Sequence, residues 1–171
     1  MHHHCRSFEE REVALMHLRS HVERCLQDVW DTHDLVVDDD GDYPFRRGTA
    51  VGWVSVRRAL PLRVSVFAHA AYELRRSARL LEEINDLNSA ARWAKIALDD
   101  GVVLVGVDLP DSAVNRISLA DAIDAVGTLA DEVGPVLAAV FGGTTPIPLN
   151  AVDQAWAADE TTDETTDEQA S

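Results

Sequence analysis

Residues 77–110 constrain this chain more than any other stretch. Leu80, Leu81, Ile84, Leu87 and Ala91 recur at three- and four-residue spacing, the apolar stripe of one helix, and Ser77 stands where an N-cap is needed. Two short alternating runs follow, residues 93–98 and 102–109, joined by Asp99-Asp100-Gly101. The Asp-Gly pair supplies the positive φ that a tight hairpin requires. The first run places Ala94, Ile96 and Leu98 together, and the second Val103, Val105 and Val107. A unit with one apolar helix stripe and one apolar sheet face must find cover for both. It carries no side chain suited to chemistry.

The rest of the chain supplies that cover. Residues 8–31 read as a helix with Leu15, Leu18, Val22, Leu26 and Val29 on one stripe, Ser7 as its cap and Glu9 and Glu10 in its first turn. Residues 34–37 are expected to form a short strand. Residues 49–57 and 62–69 form two more, connected through Arg58-Ala59-Leu60-Pro61. A third helix is expected from Ser118-Leu119-Ala120-Asp121, which has capping-box spacing, to about Phe141. Pro135 should kink or restart it, and Gly142-Gly143 should end it. The order is α-β-β-β-α-β-β-α. Short connections between neighbouring strands predict an α+β, two-layer fold: a mainly antiparallel five-stranded sheet with helices packed on one face. The expected organisation is a disordered start (1–7), one domain (8–143), a Pro-containing extension with a possible short helix carrying Trp156 (144–158), and a disordered acidic tail (159–171).

Formal charge is −15, and no Lys or Arg follows Arg116. A chain this acidic is repelled by phosphate, so nucleic acid and anionic membranes are not expected as partners. No apolar run reaches the roughly 18 residues of a membrane span, and no signal-peptide pattern opens the sequence. The expected location is the cytoplasm. Cys5 and Cys25 do not make a disulfide framework and are expected to be reduced.

Motifs of catalysis are missing. There is no Gly-rich phosphate loop, no Gly-x-Ser-x-Gly and no Cys-x-x-Cys. His17 and His21 stand one helical turn apart, with Cys25 and Asp28 on roughly the same side, but no third zinc ligand of known position accompanies them. The wheel sets both histidines opposite the apolar stripe, in water. Asp38-Asp39-Asp40-Gly41-Asp42 has the composition of a calcium loop, yet its twelfth position is Thr49 where a bidentate Glu is needed. The expectation is a protein that is not an enzyme and holds no metal and no cofactor.

One face of the sheet is different. If Leu62, Val64 and Val66 and the Val103, Val105, Val107 set meet the helices, alternation sends Arg63, Phe67, His69 and Leu104 the other way. Val51, Trp53, Ser55, Arg57, Trp93 and Lys95 join them. Aromatic residues interleaved with cations on a sheet face usually meet something. Three readings compete: the first helix or the Trp156 segment covers the face, a second copy of the chain covers it, or a partner peptide binds there. Trp53, Phe67 and Trp93 would be the anchors, with Leu104, Arg57, Arg63 and Lys95 around them.

Five pieces occur in a familiar order: Gly41-Asp42-Tyr43-Pro44-Phe45-Arg46, Val64-Ser65-Val66-Phe67-Ala68, Leu81-Glu82-Glu83-Ile84-Asn85-Asp86-Leu87-Asn88, Asp99-Asp100-Gly101-Val102-Val103-Leu104 and Val140-Phe141-Gly142-Gly143. Taken together, over roughly residues 39–143, the chain resembles actinobacterial members of the YbjN-like and type III secretion chaperone-like (CesT-type, TY-Chap) superfamily of peptide-binding domains. The resemblance implies a helix-flanked antiparallel sheet. It also implies a non-enzymatic protein, often dimeric, that holds an extended segment of a client protein.

Overall fold

The computed structural model describes residues 2–151, with side chains from residue 9 onward. It contains α1 (His2–Trp30), β1 (Tyr43–Arg47), β2 (Ala50–Arg57), β3 (Arg63–Ala71), α2 (Ala78–Ala90), β4 (Lys95–Asp99), β5 (Val102–Pro110), a 3-10 turn (Asp111–Ala113) and α3 (Arg116–Phe141). The expected order of elements is the observed one. The acidic tail at 159–171 and most of the short helix expected at 150–158, Trp156 included, lie outside the described residues.

The five strands form one sheet in the order β1-β2-β3-β5-β4, every neighbouring pair antiparallel. Register puts Tyr43, Val54, Val66 and Val107 in one row and Gly52, Ala68, Val105 and Ile96 in the next, all on the helix side. There they meet Val22 and Leu26 of α1, Leu80 and Ile84 of α2, and Leu119, Val126, Val133 and Leu137 of α3 in one core. α3 lies across the middle of the sheet. Gly134 lets it come close, since a Cβ there would overlap the carbonyl of Ala70.

Local chemistry explains most element ends. The Ser77 side chain accepts the Leu80 N–H at 3.2 Å, capping α2. Asp100 and Gly101, at φ 43° and 81°, make the β4–β5 turn. Gly142, at φ 77°, ends α3 in the left-handed region.

Several expectations are corrected. The first strand is β1 at Tyr43–Arg47, not residues 34–37. Residues 34–37 pair with no strand, whereas β1 hairpins directly onto β2 through Gly48 at φ 50° and tolerates Pro44 because it is an edge strand. α1 begins at His2, so Ser7 lies within the helix rather than at its cap. α3 is capped by Asn115, whose side chain accepts the Ile117 and Ser118 N–H groups while Ser118 accepts the Asn115 N–H. α3 runs without a restart through Pro135, with Val133, Leu137 and Ala138 buried on both sides of it. Finally, β4 starts at Lys95, leaving Trp93 outside the strand.

Candidate functional site

The face of the sheet opposite the helices is built by period-two alternation and cross-strand register. Trp53 sits opposite Phe67, Val51 opposite His69, Arg57 opposite Arg63, Leu104 opposite His69, and Gly106 between Phe67 and Lys95. No described helix lies over this face.

Its centre is an aromatic cluster. Trp53 and Phe67 stack with ring centroids 5.5 Å apart and planes 22° from parallel. His69 tilts against Trp53 at 4.8 Å and lies 6.3 Å from Phe67. Tyr72 adds an edge-on contact to His69 at 5.6 Å, and its hydroxyl is 3.0 Å from His69 Nδ1. Such pairs contribute about 0.5–1.5 kcal/mol each beyond their burial, which makes the cluster a firm platform. Partial burial holds the His69 imidazole below its usual pKa and raises that of the Tyr72 phenol. The Arg57 guanidinium lies over the Phe67 ring, 5.2 Å from its centroid, a cation–π contact that leaves the charge facing outward.

Beside the cluster runs an open groove of about 620 Å³, lined by Arg57, Phe67, His69, Lys95, Leu104 and Asp108 among others. Gly106 and Ala97 form its floor, and the groove exists because these two positions are small among large neighbours.

Six of the seven residues singled out in the sequence share this face: Trp53, Phe67, Leu104, Arg57, Arg63 and Lys95. Two of the cations are already engaged. Arg63 Nε lies 3.0 Å from Asp108 Oδ2, and Lys95 Nζ donates to the carbonyls of Ala91 (2.9 Å) and Asn88 (3.2 Å) at the end of α2. Trp93 stands apart. It occupies the bend between α2 and β4, is 41 % exposed, and stacks on no ring among the described residues.

Sequence reasoning missed Tyr72 and Gly106. The signal for Tyr72 is the Ala70-Ala71 pair. A bulge between His69 and Ala71 buries both alanines and returns the next side chain to the outer face, where strict alternation would put Tyr72 inside.

The edges of the sheet differ from the face. The Asn88 side chain of α2 donates to the Ile96 carbonyl and accepts the Ile96 N–H, both at 2.8 Å, as a pairing strand would. The free edge of β4 is thus blocked at its second residue.

The two motifs that resembled metal sites are otherwise used. His21 is not in water as expected. It is half-buried, with Nε2 2.9 Å from the Val114 carbonyl and 3.8 Å from Cys25 Sγ, while His17 is exposed. Asp38 Oδ1 accepts the N–H groups of Asp40 and Asp42, closing its loop on itself. Among the described residues no group of three His, Cys, Asp or Glu side chains is placed to hold a metal ion. No helix of the described residues is long and apolar enough to cross a membrane.

Comparison with known proteins agrees with this architecture. The family model for TY-Chap1, described as "T3SS (YopN, CesT) and YbjN peptide-binding chaperone 1", matches residues 16–148. A chain from the crystal structure of the ExsC-ExsE complex superposes with a TM-score of 0.55 at 12% sequence identity, covering 69% of this chain and 94% of that one. At that identity the likeness is one of fold. No curated protein matches the sequence.

Proposed function

The chain belongs to the TY-Chap1 family of peptide-binding chaperones, and from that premise we propose that it is a non-enzymatic, cytoplasmic binding module whose outer sheet face holds an extended segment of a client protein. The observation that carries the reading is the Trp53–Phe67–His69–Tyr72 cluster beside a groove floored by Gly106, on a face that no described element covers. Preformed aromatic platforms lose little side-chain entropy on binding, and a groove of this size has room for more than one side chain of an extended peptide. Because Asn88 occupies the β4 edge, capture works through side chains on the face rather than by adding a strand beside β4. The structure of the ExsC-ExsE complex, which shares the fold, favours a protein partner over a small molecule.

Trp53→Ser and Phe67→Ser, each partly buried on the outer face and outside the core cluster, should strip client proteins from affinity-purified protein while circular dichroism stays unchanged. An identical set of recovered partners from the folded variants would end this reading. A second reading uses the same face for a homodimer. Light scattering over a dilution series separates the two, since a monomer at micromolar concentration excludes a structural dimer.

A further inference from the structure

We propose that the outer face has a resident occupant: residues 152–171 of this same chain, with Trp156 seated against the aromatic cluster and the carboxylates beyond it reaching the arginines at the far end of β2. This deepens the reading of the face as a peptide-binding surface and rests on it.

After α3, Thr144 bridges to Tyr72 at the end of β3, and the Ile147 N–H donates to the Thr49 carbonyl at the start of β2. The chain is therefore pinned to the rim of the sheet next to His69 and Tyr72, one end of the outer-face cluster. From Ile147 to Trp156 there are nine residues, of which 149–151 are helical, a reach of about 25 Å at most, whereas Trp53 lies only four residues along β2 from Thr49, or about 13 Å.

Arg57 and Arg63 stand directly opposite each other on β2 and β3. Like charges so placed repel unless an anion answers them. Asp108 answers Arg63. Among the described residues Arg57 has no carboxylate within ion-pair distance. The segment after Ala151 holds Asp153, Asp159, Glu160, Asp163, Glu164, Asp167 and Glu168 and no Lys or Arg, so it carries seven of the chain's 30 acidic residues.

Away from the rim, the face presents His69 and Val51, then Trp53 and Phe67, then Ser55 and Ser65, then Arg57 and Arg63. The segment presents its one ring, Trp156, and then six carboxylates. Rings meet rings near the entry and acids meet arginines beyond. Tethering raises the effective concentration of such a segment to the millimolar range, so a weak contact is enough to occupy the face until a stronger client displaces it.

The test uses the full chain. The Trp53 indole N–H and Leu104 methyl signals are followed by NMR in low salt, for the native sequence, for Trp156→Ala, and for a variant with the seven carboxylates replaced (Asp→Asn, Glu→Gln). The expected result is a shift of both signals in each variant, a matching shift when salt is raised, and unmoved signals from Leu119 in the core. Unchanged Trp53 and Leu104 signals in both variants overturn the proposal. So does a shift that vanishes on dilution, which would assign the contact to a second copy. The two readings fail separately. If the tail variants move nothing while Trp53→Ser still loses clients, only the resident segment is wrong. If the tail docks and Trp53→Ser recovers the same clients, the face serves the tail alone.

Discussion

Gly134→Ala tests how closely α3 presses on the sheet that carries the outer cluster. Within a helix, Gly to Ala is ordinarily stabilising by about 1 kcal/mol, because glycine loses more backbone freedom on folding. Here the added Cβ would overlap the carbonyl oxygen of Ala70 and approach its carbon to 3.0 Å and its Cα to 3.3 Å. All three are backbone atoms of β3, which is held on both sides by β2 and β5 and cannot turn aside. The helix must retreat, loosening Val133 and Leu137 on either side of the contact. Overpacking of this kind costs about 1–3 kcal/mol, and an immovable neighbour places it at the upper end. Set against the propensity gain, the net loss is about 1–2 kcal/mol, or roughly 3–8 °C in Tm for a domain of this size. Gly127→Ala on the same helix is the control. Its Cβ would meet Cβ and Cγ of Arg47 at 3.1 and 3.3 Å, which have to give by only a few tenths of an ångström and belong to the edge strand β1, so the propensity gain should be offset at most in part and Tm should change little. Differential scanning calorimetry of both variants decides. A Gly134→Ala protein as stable as Gly127→Ala would refute the argument that the helix sits against backbone.

Two further predictions concern titration and the β1–β2 turn. The His69 pKa is lowered from 6.5 by burial, so the fold favours the neutral ring. Its contribution is complete above pH 6.5 and is lost as pH falls through 6.5 toward the folded value. The urea midpoint should therefore drop less between pH 7.5 and 5.5 in His69→Phe than in the native protein, and equal drops would remove His69 from the account. Asp131 Oδ1 accepts the Thr49 N–H at 2.7 Å and the Thr49 hydroxyl at 2.9 Å, and Thr49 is 2% exposed. Asp131→Ala leaves a buried donor unpaired and should cost about 2–3 kcal/mol in urea unfolding. Asp131→Asn, which keeps an acceptor, should lose less, and equal losses would place the cost elsewhere.

Most of the architecture is legible in the sequence because it is written in local terms. Ser77, Asp100-Gly101 and Gly142 act within a few residues of themselves, and the structure uses each as expected. The sorting of β2, β3 and β5 into two faces is equally local, since period-two alternation needs no knowledge of partners. What was not legible is decided by distant neighbours. β1 is a strand because β2 lies beside it, though Pro44 argues against it locally. Pro135 stays helical because the sheet holds both its flanks. Alternation carried to Trp93 fails because β4 begins two residues later, and carried past His69 it fails at a bulge. Arg63 gives no sign in the sequence of its partner Asp108, which lies on another strand, and Lys95 reaches the end of α2 only because the chain turns back between Ala91 and β4.

The sheet offers a partner three kinds of surface, and physics disposes of them unequally. The inner face is filled by three helices, and its residues are among the most buried of those described. The β4 edge is blocked by Asn88, whose amide reproduces the two hydrogen bonds an added strand would make at Ile96. An edge defended in this way resists unspecific pairing, and it equally refuses a client that depends on backbone bonds there. The outer face keeps a stacked aromatic cluster, an arginine over one of its rings and a groove floored by glycine and alanine. Such a surface selects side chains, not backbone, so its ligands should share an aromatic residue followed by an acidic run, the pattern that residues 156–168 of the chain themselves display.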